Sequence, residues 1–289
     1  MSDDQLPGGR SGRPGGGQGR GGSPLVASLK AARSSAEVAR FVEQLMPQTA
    51  QQFTTCLSAY GRVRDWRSAV GMLEQMRRCG VEPNVYSYSA AISACEKGGQ
   101  WERALALLEE LQRRGIEPDV ISYNAAIQAC AAAGQAIPAL QLFDRLEASP
   151  LDADIVAFNA ILDALTSQPD RARALWKLGC ARGCYHGFER WGSAPALDLH
   201  DLSEGAAEAA VRWWLEEGVP SRVAGEPGAG PERLELITGW GKTRGVTDDG
   251  DVRGRVEAVL REMGATLLPT ANPGRLAVDP ERWLRSPES

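Results

Sequence analysis

Apolar residues recur along this chain at two spacings, and the change from one to the other divides it. From about residue 50 to residue 178 they return every three or four positions, the stripe of an amphipathic helix. Tyr88, Ile92 and Cys95 follow at i, i+4 and i+7, and Gly98-Gly99 interrupts them. Trp101, Leu105, Leu108 and Leu111 form a second stripe, closed by Gly115 and Pro118. The whole unit then repeats with a period of 35: Phe53, Tyr88, Tyr123 and Phe158 align, as do Leu57, Ile92, Ile127 and Leu162, and Ala59, Ala94, Ala129 and Ala164. A second set keeps the same phase, with Ala69, Ala104, Ala139 and Ala174 beside Leu73, Leu108, Phe143 and Leu178. A helical hairpin of this kind can cover its apolar faces only with its neighbours, which predicts a solenoid.

After residue 195 the period shortens. Leu197-Asp198-Leu199-His200 alternates like a strand, Gly205 to Glu217 reads as a helix ending at Gly218-Val219-Pro220, and a Pro/Gly-rich insertion spans 225–231. A strand at Arg233–Ile237, a polar loop, a helix near Asp251–Met263 and two short strands ending at Arg275–Val278 complete a β-α-β-α-β-β order, which points to a small α/β sandwich. The expected fold class is therefore mostly α, an α-α hairpin solenoid followed by that sandwich. The expected organisation is a disordered Gly/Arg-rich tail (1–25), a capping helix (26–49), and repeats over 50–178 (50–84, 85–119, 120–154 and a partial unit 155–178). A linker (179–195) and the C-terminal domain (196–285) follow. Trp213 and Trp214 cannot both face the core of one helix, so one of them is expected at an interface.

Composition narrows the function. An apolar fraction of 43% allows a sizeable core, and no apolar run approaches the roughly 20 residues that span a bilayer, so no membrane partner is expected. The net charge of −5 argues against a protein that coats nucleic acid through bulk charge. The six cysteines fall mostly inside helical patterns, which suits a reducing compartment. Cys180, Cys184 and His186 could be drawn as zinc ligands, but no fourth ligand sits at a familiar spacing, so no metal is assigned to them.

The segments Gly115-Ile116-Glu117-Pro118-Asp119 and Val120-Ile121-Ser122-Tyr123-Asn124, on a 35-residue period, closely resemble the pentatricopeptide repeat (PPR) family over residues 50–178. The resemblance implies single-stranded RNA as partner, one base per repeat, contacted through the fifth and last residues of each unit: Thr54 with Asn84, Ser89 with Asp119, Asn124 with Asp154. It implies adenine, guanine and uracil in that order, read 5′ to 3′ from the first unit. Two polar side chains at fixed positions can present one donor/acceptor pattern to an unstacked base, although each residue type is also common at helix starts and turns. Asn159 begins a fourth pair whose partner position falls on Glu189. Three bases specify about one site in 64. With ten Lys+Arg against thirteen Asp+Glu over 50–154, the array lacks strong phosphate attraction, so affinity must be low or be supplied elsewhere, for example by other organellar RNA-processing proteins. Arg77-Arg78 and Arg113-Arg114 could touch phosphates or simply favour helix C-termini.

Over about residues 196–285 the pieces Leu197-Asp198-Leu199-His200, Ala210–Leu215, Ile237-Thr238-Gly239-Trp240-Gly241-Lys242 and Asn272–Leu276 resemble the Smr (small MutS-related) domain. With the repeats they look like the PPR-SMR proteins of plant and algal organelles, which implies a chloroplast or mitochondrial location and RNA processing by endonucleolytic cleavage. The family usually has Gly after the histidine; this chain has Asp201. Asp198 and His200, two apart on a strand, should emerge on one face, where they could move a proton or ligate a divalent metal, Mg or Mn. Gly239 and Gly241 allow close backbone approach to a phosphate, Lys242 and Arg244 offer charge, and Trp240 could stack on a base. Gly241-Lys242-Thr243 also echoes the end of a nucleotide-binding P-loop, which is rejected because Leu236 stands where that motif needs glycine. Two other readings are a non-catalytic RNA-binding or stabilising factor and a protein-interaction scaffold.

Overall fold

The structure is a computed structural model, and it describes residues 24–192, 194–223, 231–239 and 251–284. It opens with α1 (Pro24–Ala31) and α2 (Ser35–Leu45), two helices where one was expected. Four hairpins follow: α3 (Ala50–Arg62) with α4 (Trp66–Arg78), α5 (Val85–Lys97) with α6 (Trp101–Arg113), α7 (Val120–Ala132) with α8 (Ala136–Glu147), and α9 (Ile155–Ala164) with α10 (Pro169–Ala181).

Local chemistry starts each hairpin. Thr49, Asn84 and Asp119 each accept a hydrogen bond from the backbone N–H three residues on, and Gln52, Ser87 and Ser122 accept one in return from the cap's own N–H. Asp154 caps α9 through the N–H of Ala157. Gly99 and Gly115, at φ +67° and +73°, stop α5 and α6 in a left-handed turn that a side chain would strain.

Packing then sets the curvature. The first helices α3, α5, α7 and α9 pack directly on one another, while α4, α6 and α8 each pack on the first helix of the next hairpin. The second helices are linked mainly by long polar side chains, Arg77 to Glu110 (2.5 Å), Arg145 to Gln112 (2.5 Å) and Arg182 to Glu147 (2.5 Å). The first-helix layer is therefore the tighter one and forms the inner wall. The in-phase residues Phe53, Tyr88, Tyr123 and Phe158 and Leu57, Ile92, Ile127 and Leu162 are all buried.

The fourth hairpin departs from the expected phase. Ala174 is exposed and Leu178 only half-buried; Ala172, Trp176 and Gly179 are the buried residues of α10. The first helix α9 is three residues shorter than α3, α5 and α7 and the turn after it one residue longer, so α10 enters two positions early and its inward stripe moves back by two. Trp176 thus stands where Leu73, Leu108 and Phe143 stand, and Gly179 where Met76, Leu111 and Leu146 stand. The space left by Gly179 is filled by Tyr185, whose ring a Cβ at 179 would meet at 2.6 Å. Tyr185 stacks on Trp176 at 4.2 Å and meets Phe158 and Phe188 edge-on. Within the span expected as a linker, Tyr185 is thus packed into the core and Glu189–Arg190 form strand β1.

The C-terminal domain adds β2 (Ala196–Asp198), α11 (Glu204–Trp213), α12 (Val219–Val223), β3 (Leu234–Ile237), α13 (Val252–Glu262), β4 (Leu267–Leu268), β5 (Arg275–Val278) and α14 (Glu281–Leu284). The sheet order is β1-β2-β3-β5-β4, with β2 and β3 parallel and the other neighbours antiparallel. The helix expected to end at Gly218 instead passes through a π-helical turn at Trp214–Gly218 into α12. That turn lets both tryptophans find cover: Trp214 is fully buried, and Trp213 reaches Trp176 across the junction with the repeats at 6.4 Å.

The two parts are joined tightly. α11 packs against α9 and α10, where another first helix would otherwise stack. The Gly205 N–H donates to Asp163 Oδ1 at 2.7 Å, and burial pushes the Asp163 carboxyl above its ordinary range. Arg173 pairs with Glu216 at 2.5 Å and Lys177 with Glu217 at 2.7 Å.

The thiols are free, and burial raises Cys56, Cys95 and Cys130 to about 11, whereas Cys79 is exposed. Thiolate is the reacting form. At pH 8 a disulfide reagent is expected to label Cys79 rapidly and those three only after denaturation, read by absorbance and peptide mapping. Prompt labelling of Cys95 in the folded protein would contradict the packing.

Candidate nucleic-acid interface

Two surfaces hold the residues singled out by the sequence. The first is the inner wall. Ser89 Oγ donates to Asp119 Oδ1 at 2.9 Å and Asn124 Nδ2 to Asp154 Oδ1 at 2.9 Å, so two of the three pairs come together across successive repeats. Thr54 and Asn84 line one cavity, without a hydrogen bond between them; Thr54 Oγ1 donates to the Ala50 carbonyl.

The expectation that both members of a pair face the groove needs correction. Ser89 and Asn124 are 4% and 7% exposed. Their 35-residue register places them on the inner helices, but close packing of those helices sinks them beneath the capping residue of the next unit. Asp119 and Asp154 spend Oδ1 on the cap and on this pairing, while Oδ2 of each makes no hydrogen bond with the described residues. The outward chemistry of units two and three is therefore a carboxylate oxygen held in place by Ser89 or Asn124. Asn124 Oδ1 is buried without a partner, an unmet acceptor at the wall.

Beside this row lies another that the polar reading missed. Tyr86, Ile121 and Val156 are 65%, 58% and 39% exposed, one residue past each helix start and 35 apart. The same periodicity marked them in the sequence; their exposure required the structure. Large apolar side chains ranked in the open beside polar pairs suit the faces of flat rings.

The row stops at the fourth unit. Tyr185 OH donates to Asn159 Oδ1 at 3.1 Å and Ser203 Oγ to the Asn159 carbonyl at 3.3 Å, so Asn159 is engaged by the C-terminal segment. Of the basic pairs, Arg77 is drawn into a cluster with Tyr88 and Glu110, and Arg114 pairs with Glu110 at 3.1 Å, which supports a structural part for both.

The second surface is the carboxyl end of the parallel strands, where open α/β sheets form clefts. β2 ends at Asp198 and His200 lies in the following turn, so the turn rather than the pleat brings them together. Asp198 Oδ1 is 2.5 Å from His200 Nδ1, and the Arg190 guanidinium donates to Asp198 Oδ2 at 2.6 Å. Arg190 was hidden within the presumed linker; only pairing of β1 with β2 brings it here. The His200 side chain is 51% exposed, and Asp201 Oδ2 sits 2.9 Å from its Nε2. Gly239, at φ +80°, lies close against the root of the His200 side chain: a Cβ there would lie 3.2 Å from His200 Cβ. Trp240, Gly241, Lys242 and Arg244 lie outside the described residues.

The arrangement can orient an imidazole and, once Nε2 leaves Asp201, exchange a proton there. Asp198 already holds an arginine and a histidine, and no group of three metal-ligating side chains forms among the described residues, the Cys180/Cys184/His186 set included.

Comparison with known proteins bears on the first surface. Family models described as PPR repeat family, PPR repeat and pentatricopeptide repeat domain match residues 51–97, 86–116 and 106–168. A pentatricopeptide repeat-containing protein of Arabidopsis thaliana is 27% identical over 129 residues, 41% of this chain but only 14% of that protein's length. Among solved structures, the maize protein PPR10 aligns over 69% of this chain and 27% of its own, at 23% identity and a TM-score of 0.47. The PPR domain of Arabidopsis thaliana protein-only RNase P 1, solved with tRNA, aligns over 53% of this chain and 84% of its own, at 16% identity and a TM-score of 0.46.

Proposed function

We propose, on the premise that the hairpins matched over residues 51–168 are pentatricopeptide repeats, that this chain binds single-stranded RNA along its inner wall. The observation that carries the reading is the double row: polar pairs Ser89–Asp119 and Asn124–Asp154 in contact at 2.9 Å, beside the exposed file of Tyr86, Ile121 and Val156. A free carboxylate oxygen accepts from the imino or amino N–H of a base edge, which fits guanine and uracil at units two and three. The Thr54–Asn84 unit, with an amide that both donates and accepts, fits adenine.

Selection of RNA from a random single-stranded pool tests this. The native chain is expected to enrich a three-position motif. Asn124→Ala should lose preference at the third position, and Asn159→Ala should leave the motif unchanged, because Tyr185 already occupies that side chain. Enrichment without any motif, or a motif indifferent to Asn124→Ala, would count against base reading.

We further propose that the C-terminal domain is Smr-like and that Asp198 and His200 cleave the bound strand, with Asp198 orienting the ring and Nε2 moving the proton. A second reading, that this domain only grips the backbone, is favoured by Asp201, which occupies Nε2 in the resting structure. We propose that this work is done in a chloroplast or mitochondrion, a reading that the resemblance of the sequence to PPR-SMR proteins supports.

A further inference from the structure

The inner wall has a distinctive end. At its N-terminal edge, beside α3, lies a cavity of about 690 Å³, within the ~300–1,000 Å³ range of small-ligand sites. Lys30 and Arg62 line it together with Thr54, Asn84 and Tyr86, and no carboxylate is among the lining residues.

Charge separates this end from the rest of the row. The positions equivalent to Asn84 in the next two units are Asp119 and Asp154, which repel an anion. Three arginines of the hairpins are neutralised by carboxylates, Arg77 and Arg114 by Glu110 and Arg173 by Glu216. Lys30 and Arg62 have no carboxylate partner among the described residues. Arg62 is nonetheless held in place, because its Nη2 donates to the Leu29 carbonyl at 2.6 Å. A tethered guanidinium and an exposed ammonium beside an exposed tyrosine ring match a phosphate attached to a base.

We propose that this cavity seats the terminal nucleotide of the RNA, with a phosphate monoester against Lys30 and Arg62 and the base against Tyr86. The inference rests on the inner wall being an RNA surface. A terminal monoester carries about −1.5 to −2 charges where a chain phosphodiester carries one, so two unpaired cations at the end of an otherwise acidic wall discriminate in its favour. The chain would then register its RNA from a phosphorylated end, which compensates for the small number of bases read.

Fluorescence anisotropy with the full chain tests this, using one short single-stranded RNA with a 5′-phosphate, a 3′-phosphate or hydroxyls at both ends. One phosphorylated form is expected to bind about tenfold tighter than the hydroxyl form, as one charge-assisted contact predicts, and its identity gives the strand's direction. Lys30→Gln and Arg62→Gln should remove that advantage and leave the hydroxyl form's affinity nearly unchanged. Circular dichroism and thermal melts check that each variant keeps its fold; Lys30→Gln, at an exposed position, is the variant to rely on if Arg62→Gln loosens α1. Equal binding of all three RNAs by the native chain overturns the proposal and leaves RNA binding standing. Failure to bind any of them overturns both.

Discussion

Replacing Trp176 with alanine is expected to cost about 3–5 kcal/mol of stability, the range for removing a fully buried large aromatic ring. Trp176 is 1% exposed and stands where two parts of the molecule meet. Its ring stacks on Tyr185 at 4.2 Å, and Trp213 of α11 lies 6.4 Å away. Removing it opens a cavity beneath both the returning segment and the C-terminal domain. Trp176→Phe is expected to cost much less, because the indole Nε1 has no hydrogen-bond partner and its loss leaves no polar atom stranded. Urea denaturation followed by circular dichroism checks both. A loss below about 1 kcal/mol for Trp176→Ala would mean that the junction is held by other contacts.

The second large effect concerns the imidazole. If the C-terminal domain cleaves RNA, His200→Ala should slow cleavage by about 10²–10⁴-fold, the usual contribution of a positioned acid or base. Asp201→Gly should act oppositely and raise the rate, since it frees Nε2 from the carboxylate 2.9 Å away. Labelled single-stranded RNA, incubated with and without a divalent metal, reads all three proteins. Equal cleavage by the native chain and His200→Ala would remove Asp198 and His200 from the chemistry. No cleavage by any of them, Asp201→Gly included, would leave the gripping reading.

The repeat register was legible because its cause is local and recurrent. A 35-residue period of apolar positions, punctuated by capping Asn or Asp and by left-handed glycine, determines hairpins before any tertiary contact forms. The pairing of Ser89 with Asp119 and of Asn124 with Asp154 was what the PPR resemblance implied on that period, whereas Asp198 and His200, two apart in the sequence, meet through the turn after β2 and not through strand alternation.

What the tertiary structure alone decided follows from packing depth and from distant pairing. Periodicity says that Ser89 and Asn124 lie on the inner helices, but only the closeness of those helices buries them and leaves Asp119 and Asp154 outermost. The two-residue slip of α10 is invisible to a fixed period, because Ala174 and Leu178 are plausible core residues until Trp176 and Tyr185 claim the space. Arg190 reaches Asp198 only through pairing between β1 and β2, a contact that no local pattern encodes. Short-range order thus resides in the residues themselves, whereas which polar atoms stay exposed depends on how tightly neighbouring elements close over them.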